Sequence, residues 1–184
     1  ADLKRRITDP VIDAAVRVMP PEYQALQPDL AAKLKARRDS FPAQADVFYR
    51  YLAGYADIHA TDSADRAQVT RHPDGSVDVQ LQSGNDAPYF RRRFRPVETR
   101  EIRLYLHGGD DNAIVTGAAA QSIVVRVIGG NGSNRLVDSS QVGGRVDPAR
   151  LYDLGTVSGV EYGPDTLFNR RPWIRQDGRA VLPG

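Results

Sequence analysis

A near-repeat between residues 100 and 138 constrains the fold more than any other feature of this chain. The unit REIRLYLHGGDDNAIVTG (100–117) is followed by QSIVVRVIGGNGSNRLVD (121–138). Its apolar residues recur 21 residues later, and so does its glycine pair, because Gly108-Gly109 is matched by Gly129-Gly130. Each unit predicts a strand, a tight turn and a short second strand, which is the pattern of one coil of a parallel β-solenoid.

A single unit of this kind cannot bury its apolar face alone, so the two units are expected to stack in parallel. Two coils are fewer than a free solenoid needs. The neighbouring segments are therefore expected to cap the stack.

The first 56 residues predict a helical subdomain. Thr8-Asp9-Pro10 is typical of a helix start, because a Thr or Asp cap precedes a proline whose missing N–H costs nothing there. Pro20-Pro21 is expected to end this first helix. Two further helices are expected over residues 28–40 and 42–53, the first of them carrying a basic face.

From residue 57 the apolar period changes from about 3.6 to 2, which predicts strands. Ser76–Ser83 alternates apolar and polar residues after the turn sequence His72-Pro-Asp-Gly75. An antiparallel meander of about four strands is therefore expected, beginning with a strand over Asp57–Thr61.

The final segment, 141–184, is rich in glycine and proline and predicts a loop-rich strap across the domain. Its expected anchors are Leu167, Phe168, Trp173 and Ile174. The fold class expected is thus α+β: a helical subdomain (1–56), a β meander with a two-coil repeat (57–140) and the strap. We expect the three parts to form one cooperative domain of a longer protein.

The glycine-rich turns of the repeat suggest a calcium site. Residues 129–136 fit the pattern G-G-x-G-x-D-x-U except that Asn134 replaces the aspartate. The candidate calcium ligands are Asp110, Asp111, Asn112, Asn131 and Asn134. Calcium takes six to eight oxygens, and only two of these side chains carry charge, so the alternative is that Gly and Asn serve a turn with positive φ.

Composition argues against most kinds of enzyme. The chain has no cysteine and three histidines, which excludes disulfides, thiolate sites and a Cys nucleophile. A small hydrolase around His107, with Asp110 and Asp111 beside it, is the strongest catalytic alternative, yet no paired nucleophile and base is evident. His59, Asp62 and Asp65 could form a second cluster, but we expect the two carboxylates to be solvated turn residues. No catalytic residue and no cofactor is therefore assigned, calcium aside.

The run Arg91-Arg-Arg-Phe-Arg95 is the strongest charge feature. Alternation places Arg91, Arg93 and Arg95 on one face of a strand, where they could contact anions, lipid head groups or lipopolysaccharide phosphates. The alternative is a solvated strand face neutralised by nearby carboxylates. Since the formal net charge is only +2, a nucleic-acid partner is not expected.

The strings TREIRLYLHGGDD (99–111) and SIVVRVIGG (122–130) resemble a segment of large bacterial envelope proteins. In that family the segment precedes a C-terminal outer-membrane barrel of the surface-antigen type, and some members carry a metallophosphoesterase domain upstream. The string YGPDTLFNRRPW (162–173) is similar to the approach to such a barrel. The resemblance implies a periplasmic or outer-membrane-associated location in the bacterial cell envelope. The Asp, His and Asn motifs of a metallophosphoesterase are absent here.

The sequence therefore predicts a non-enzymatic structural or docking module of a larger cell-envelope protein, next to an outer-membrane barrel. Its expected partners are other domains of its own parent chain, with a membrane or lipopolysaccharide surface as a further possibility. A calcium-stabilised binding or adhesion module, and the small hydrolase around His107, stay open as alternatives.

Overall fold

The computed structural model describes residues 5–26, 28–144, 148–154 and 159–170, and this part of the chain is mixed α+β. It contains three helices and twelve strands in parallel and mixed sheets. The chain divides into two compact units, residues 1–51 and 52–184. The division falls in the last turn of the third helix, a few residues before the position expected from the change of period.

The helices of the first unit are α1 (Asp9–Arg17), α2 (Pro21–Leu26) and α3 (Leu30–Ala53). The start of α1 agrees with its sequence signal. The expectation of two helices over 28–40 and 42–53 is wrong, because α3 is continuous and contains Pro42. A proline removes one helical hydrogen bond, and α3 has no buried residue, so water can reach the carbonyl group left over.

Pro21 also acts differently from the expectation. It does not merely end α1; it begins α2, where the absence of its N–H costs nothing. Ion pairs link α1 to the basic face of α3: Lys35 Nζ lies 2.7 Å from Asp13 Oδ1, and Arg38 Nη1 lies 2.6 Å from Asp9 Oδ1. The basic face of α3 therefore helps to hold α1 and α3 together.

Most strands of the second unit pair with a strand that is distant in sequence. The strands are β1 (Tyr55–His59), β2 (Asp65–Arg71), β3 (Val77–Ser83), β4 (Phe90–Phe94), β5 (Glu101–Tyr105), β6 (Asn112–Ala119), β7 (Val124–Ile128), β8 (Arg135–Asp138), β9 (Gln141–Val142), β10 (Ala149–Tyr152), β11 (Gly159–Tyr162) and β12 (Thr166–Asn169).

Two sheets contain these strands. Sheet 1 has the order β1-β5-β7-β10-β12, and every pairing in it is parallel. Sheet 2 has the order β11-β8-β6-β2-β3-β4, with β9 beside β6. The pairings from β11 to β2 are parallel, whereas β2-β3-β4 is antiparallel.

The antiparallel meander is confirmed for β2, β3 and β4, but the expected first strand lies elsewhere. β1 pairs in parallel with β5 in sheet 1, with Ile58 beside Leu104. A corner at residues 60–64 separates β1 from β2, so the chain passes from one sheet to the other instead of forming a hairpin. The buried Ile58 joins the common core by this route.

The register of the repeat is 23 residues and not the 21 suggested by the sequence. Ile102 lies beside Val125, and Ala113 lies beside Leu136. A shift of two residues leaves the same side chains facing the core, so the apolar pattern could not distinguish the two registers. Gly130 shows the consequence: it has φ 84°, and a Cβ there would collide with the carbonyl oxygen of His107.

Aliphatic side chains of both sheets form one hydrophobic core. β2 alternates buried and exposed residues along its whole length, as a half-buried strand should. Each fully buried Val, Leu or Ile contributes about 1.5–3 kcal/mol. Fully buried examples from the two sheets are Val69, Val79, Leu81, Val115, Ile102, Leu104, Val125 and Val127.

The segment expected to be a loop-rich strap contains four of the strands. β10 and β12 extend sheet 1 in parallel, and β11 extends sheet 2. Leu167 and Phe168 lie on β12 and are half-buried, with Phe168 packed against the core. The other two expected anchors, Trp173 and Ile174, lie outside the described residues.

Candidate functional site

Four side chains form a ladder at the corners where the chain passes from sheet 1 to sheet 2. Asp65 begins β2, while Asp111 and Asn134 immediately precede β6 and β8. Asp111 Oδ1 accepts a hydrogen bond from the Asp65 N–H at 2.8 Å, and Asn134 Oδ1 accepts one from the Asp111 N–H at 3.1 Å. Asn134 Nδ2 donates to Asp153 Oδ1 at 3.0 Å. We call these four residues the corner ladder.

The corner ladder is buried, since each of its members is no more than 2% exposed. Asp111 Oδ2 and Asp153 Oδ2 have no hydrogen-bond partner within the described residues, and neither has the nearby Asn112 Oδ1. Burial raises the pKa of Asp111 to about 7, and the charges of Asp65 and Asp110 act in the same direction.

The pKa of Asp65 shifts in the opposite direction, although Asp65 is as little exposed as Asp111. Burial acts to raise its pKa, but hydrogen bonds from Thr61 and Ser83 outweigh that effect and lower the pKa below its ordinary value. Asp65 Oδ2 accepts from both the N–H and the hydroxyl group of Thr61. The expectation that Asp62 and Asp65 are both solvated turn carboxylates is therefore wrong for Asp65, because its carboxylate organises the first corner; Asp62 is exposed.

The structure separates the five candidate calcium ligands into two groups. Asp111, Asn112 and Asn134 lie at the buried corner. Asp110 and Asn131 are exposed, and Asp110 Oδ1 accepts a hydrogen bond from the Ser133 N–H at 2.8 Å. Within the described ranges no three His, Asp or Glu side chains are grouped as a metal site would require. Calcium binding stays a prediction.

His107 lies beside His59, a proximity that the sequence analysis missed. His59 Nδ1 and His107 Nε2 are 2.9 Å apart. The two residues are 48 positions apart, and only the parallel register of β1 and β5 brings them together. The small hydrolase expected around His107 would need Asp110 and Asp111, but Asp111 is buried at the corner and Asp110 bonds to the next turn.

Arg91, Arg93 and Arg95, here called the arginine stripe, lie along β4 and at the residue that follows it. β4 is the outer strand of sheet 2 among the described residues. Arg91, Arg93 and Arg95 are exposed. Arg93 forms two hydrogen bonds of 2.7 Å to Asp78, and this pairing, with a contribution from His72, lowers the pKa of Asp78 to about 2. One arginine of the stripe is thus neutralised by its neighbouring strand, while an anion contact by Arg91 and Arg95 stays a prediction.

An open cleft of about 1050 Å³ lies near the ends of β6 and β8 and is lined in part by Asp138 and Ser140. Both carboxylate oxygens of Asp138 accept hydrogen bonds, Oδ1 from Ser140 and Oδ2 from Thr166 Oγ1. Ser140 Oγ also accepts from Arg71 Nε at 3.1 Å. These groups hold the turn after β8.

Comparison with known proteins finds no match for the chain among family models, curated proteins or solved structures. None of the helices in the described ranges combines the length and the apolar character that crossing a membrane requires.

Proposed function

We propose that this chain is a short parallel β-solenoid that serves as a structural or docking module of a larger bacterial cell-envelope protein, beside an outer-membrane barrel. In this proposal the chain has no catalytic role of its own. It acts as a spacer that holds other domains of its parent chain at a fixed separation.

The solenoid part of the proposal rests on the parallel pairing of strands in both sheets. The pairs β1–β2, β5–β6, β7–β8 and β10–β11 each place one strand in sheet 1 and the next in sheet 2. Each pair lies in parallel beside the following pair in both sheets. We interpret the pairs as successive coils, so that the two coils expected from sequence become four. The meander strands β3 and β4 then cap one side of sheet 2.

The chemistry of the corners supports a structural role. Asp111 and Asn134 each accept a hydrogen bond from a backbone N–H of the neighbouring corner, and Asp65 accepts from Thr61 within its own corner. Groups that are already hydrogen-bonded within a buried ladder stabilise a fold and are poorly available for substrates. The same reasoning applies to Asp138 and Ser140 beside the cleft.

The exposed apolar side chains of α3 support the docking part of the proposal. Val47, Phe48 and Tyr51 are 70%, 62% and 76% exposed, and they line a shallow groove on the helix. Such a patch is typical of an interaction surface. The location beside a barrel follows from the resemblance of residues 99–130 and 162–173 to the envelope family.

An activity screen tests the non-enzymatic part. Phosphatase, esterase and glycosidase substrates are expected to be turned over at background rates by the full chain. His107→Asn and Ser140→Ala should give the same rates as the unmodified chain. A rate well above background that either substitution abolishes would refute the proposal and restore the hydrolase alternative.

Cross-linking in cells tests the location and the docking surface. A photo-reactive amino acid at Phe48 is expected to capture another segment of the parent chain in the outer-membrane fraction. The same probe at Gln68, which is exposed on β2, is the matched control and should capture little. Recovery of the protein only in the cytoplasmic fraction would refute the envelope location.

A calcium-stabilised binding module is the second candidate, because the corner holds buried oxygens without partners in the described chain, on Asp111, Asn112 and Asp153. A cation would satisfy them, as calcium takes carboxylate and amide oxygens. If calcium binds there, millimolar calcium should raise Tm by several degrees relative to chelator, and magnesium should not. Asp153→Asn should remove the increase. An unchanged Tm rejects this candidate.

A further inference from the structure

Six side chains of α3 follow a heptad repeat, because they are separated alternately by three and four residues. They are Leu34, Arg37, Phe41, Gln44, Phe48 and Tyr51. Seven residues make almost two turns of an α-helix, so the six side chains lie along one side of α3. This spacing is typical of positions a and d of a coiled coil, where one helix packs along another. We call these six residues the α3 seam.

The α3 seam is uncovered in the described part of the chain. Its four apolar members are between 40% and 76% exposed, and its two polar members are exposed as well. A shallow groove on the helix is lined in part by Gln44, Phe48 and Tyr51. In a coiled coil, a gap of this kind accepts a side chain of the facing helix. A second helix with the same spacing would therefore fit along the seam.

The charges of α3 determine how two copies of it can align. Residues 30–39 contain four basic residues and one acidic residue, whereas residues 40–53 contain one of each. Three of those four basic residues form ion pairs with aspartates of their own chain, but Arg37 is in none of the ion pairs of the described residues. In a parallel pair each seam residue faces its own equivalent, so Arg37 would face a second arginine. This repulsion opposes a parallel alignment.

An antiparallel pair avoids the repulsion and keeps the whole α3 seam in contact. Reversing one helix brings positions a opposite positions d. In the register that uses all six residues, Leu34 lies beside Tyr51 of the second copy, Arg37 beside its Phe48, and Phe41 beside its Gln44. Arg37 then meets an aromatic ring, whose face attracts a guanidinium group. The basic half of each helix thus lies along the uncharged, aromatic part of the other.

We propose that α3 pairs with α3 of a second copy of this chain as an antiparallel coiled coil along the α3 seam. The proposal rests on the docking part of the proposed function and names the partner: the segment that docks at Phe48 belongs to a second copy of the parent chain. The exposed surface of the apolar seam residues and of Val47 amounts to roughly 600 Å² per copy, or about 1,200 Å² for the pair. This area is at the lower limit of specific interfaces, so a reversible dimer with a micromolar Kd is expected.

Sedimentation equilibrium of the purified full chain at low ionic strength measures the dimer. Two substitutions at Phe48 test its register, because this residue lies beside Arg37 of the second copy. Both remove the aromatic contact, but Phe48→Arg brings like charges together and Phe48→Glu brings opposite charges together. Phe48→Arg should therefore weaken association at least tenfold more than Phe48→Glu does. Arg50→Gln, exposed on the opposite side of α3, is the matched control and should associate as the unmodified chain does.

A distance between spin labels tests the orientation without altering the seam. The chain contains no cysteine, so Lys33→Cys allows one nitroxide label to be attached per chain. In the antiparallel register each label lies about 14 Å from the centre of the pair along the helix axis, so the two labels are expected about 30 Å apart. In a parallel pair the two labels would lie at the same height and within about 20 Å of each other.

Three results would overturn the inference: a chain that stays monomeric at several hundred micromolar, equal weakening by Phe48→Arg and Phe48→Glu, or labels at the parallel distance. The cross-linking probe at Phe48 tests the docking surface separately. A monomeric chain whose probe captures a different segment of the parent chain would contradict this inference and leave the docking surface in place. Capture of α3 of a second copy by that probe would support both.

Discussion

Asp111 shows how one buried carboxyl group couples the fold to pH. Its Oδ1 accepts the Asp65 N–H, whereas its Oδ2 is buried without a partner in the described residues. Its pKa of about 7 lies above the value of about 3.9 found in unfolded chains. The folded state therefore binds more protons between these values, and the contribution of Asp111 to stability decreases as the pH rises from about 4 to about 7.

Asp111→Asn should remove this pH dependence, because an amide keeps an acceptor for the Asp65 N–H and carries no charge. Between pH 5 and pH 8, the free energy of unfolding of the variant is expected to rise relative to the unmodified chain by about 1–3 kcal/mol. Urea denaturation in the presence of chelator measures the difference. Asp86→Asn, at an exposed position, is the control and should show no such trend. Parallel stability curves for Asp111→Asn and the unmodified chain would contradict the prediction.

The sequence predicted which residues occupy the corners but not what they contact. Asp111 and Asn134 were identified from the Gly-Gly turns, because turn chemistry is local. The ladder between them, and the proximity of His59 and His107, depend on the register between strands distant in sequence. No pattern within either strand contains that information.

Helix α3 contains Pro42 in its interior, where the sequence predicted a break. The proline costs the helix one hydrogen bond and causes a steric clash with the preceding turn. The predicted break rests on the general rule that a proline interrupts a helix. It failed because the exposed helix can leave a carbonyl group to water and continue.

Pro42→Ala is expected to stabilise α3 by about 2–3 kcal/mol, since it restores a backbone donor and removes the clash. The far-UV circular dichroism signal at 222 nm should persist to higher temperature. Pro21→Ala, at the first residue of α2, removes a proline that costs nothing and should leave the transition within about 0.5 kcal/mol. A loss of helical signal in Pro42→Ala would contradict this account.

At the scale of the whole second unit, Arg71 joins segments that lie far apart in sequence. Its side chain is buried, and it donates to the carbonyl oxygens of Ile123 and Pro148 at 2.7 and 2.9 Å. It also donates to Ser140 Oγ. One guanidinium group thus connects the end of β2 with the segments that precede β7 and β10.

Arg71→Met should lower the free energy of unfolding by about 2–4 kcal/mol, because buried carbonyl oxygens lose charged donors. Urea denaturation followed by circular dichroism measures the loss. Arg66→Met, on the exposed face of the same strand, should change stability by about 0.5 kcal/mol or less. Equal stability of the two variants would show that the Arg71 network contributes little.

The hairpin of β3 and β4 determines on which side the stack of parallel strands can be lengthened by duplicated units. It occupies one side of β2 in sheet 2, and its outer strand presents exposed arginines, which discourage pairing with another strand. Growth by duplication of a 23-residue unit is therefore open only on the other side, among β5 to β8. Each duplication there would add about 4.8 Å to both sheets. The hairpin would keep one end of the stack of strands unchanged, while each added unit would lengthen the stack on the other side by one strand spacing.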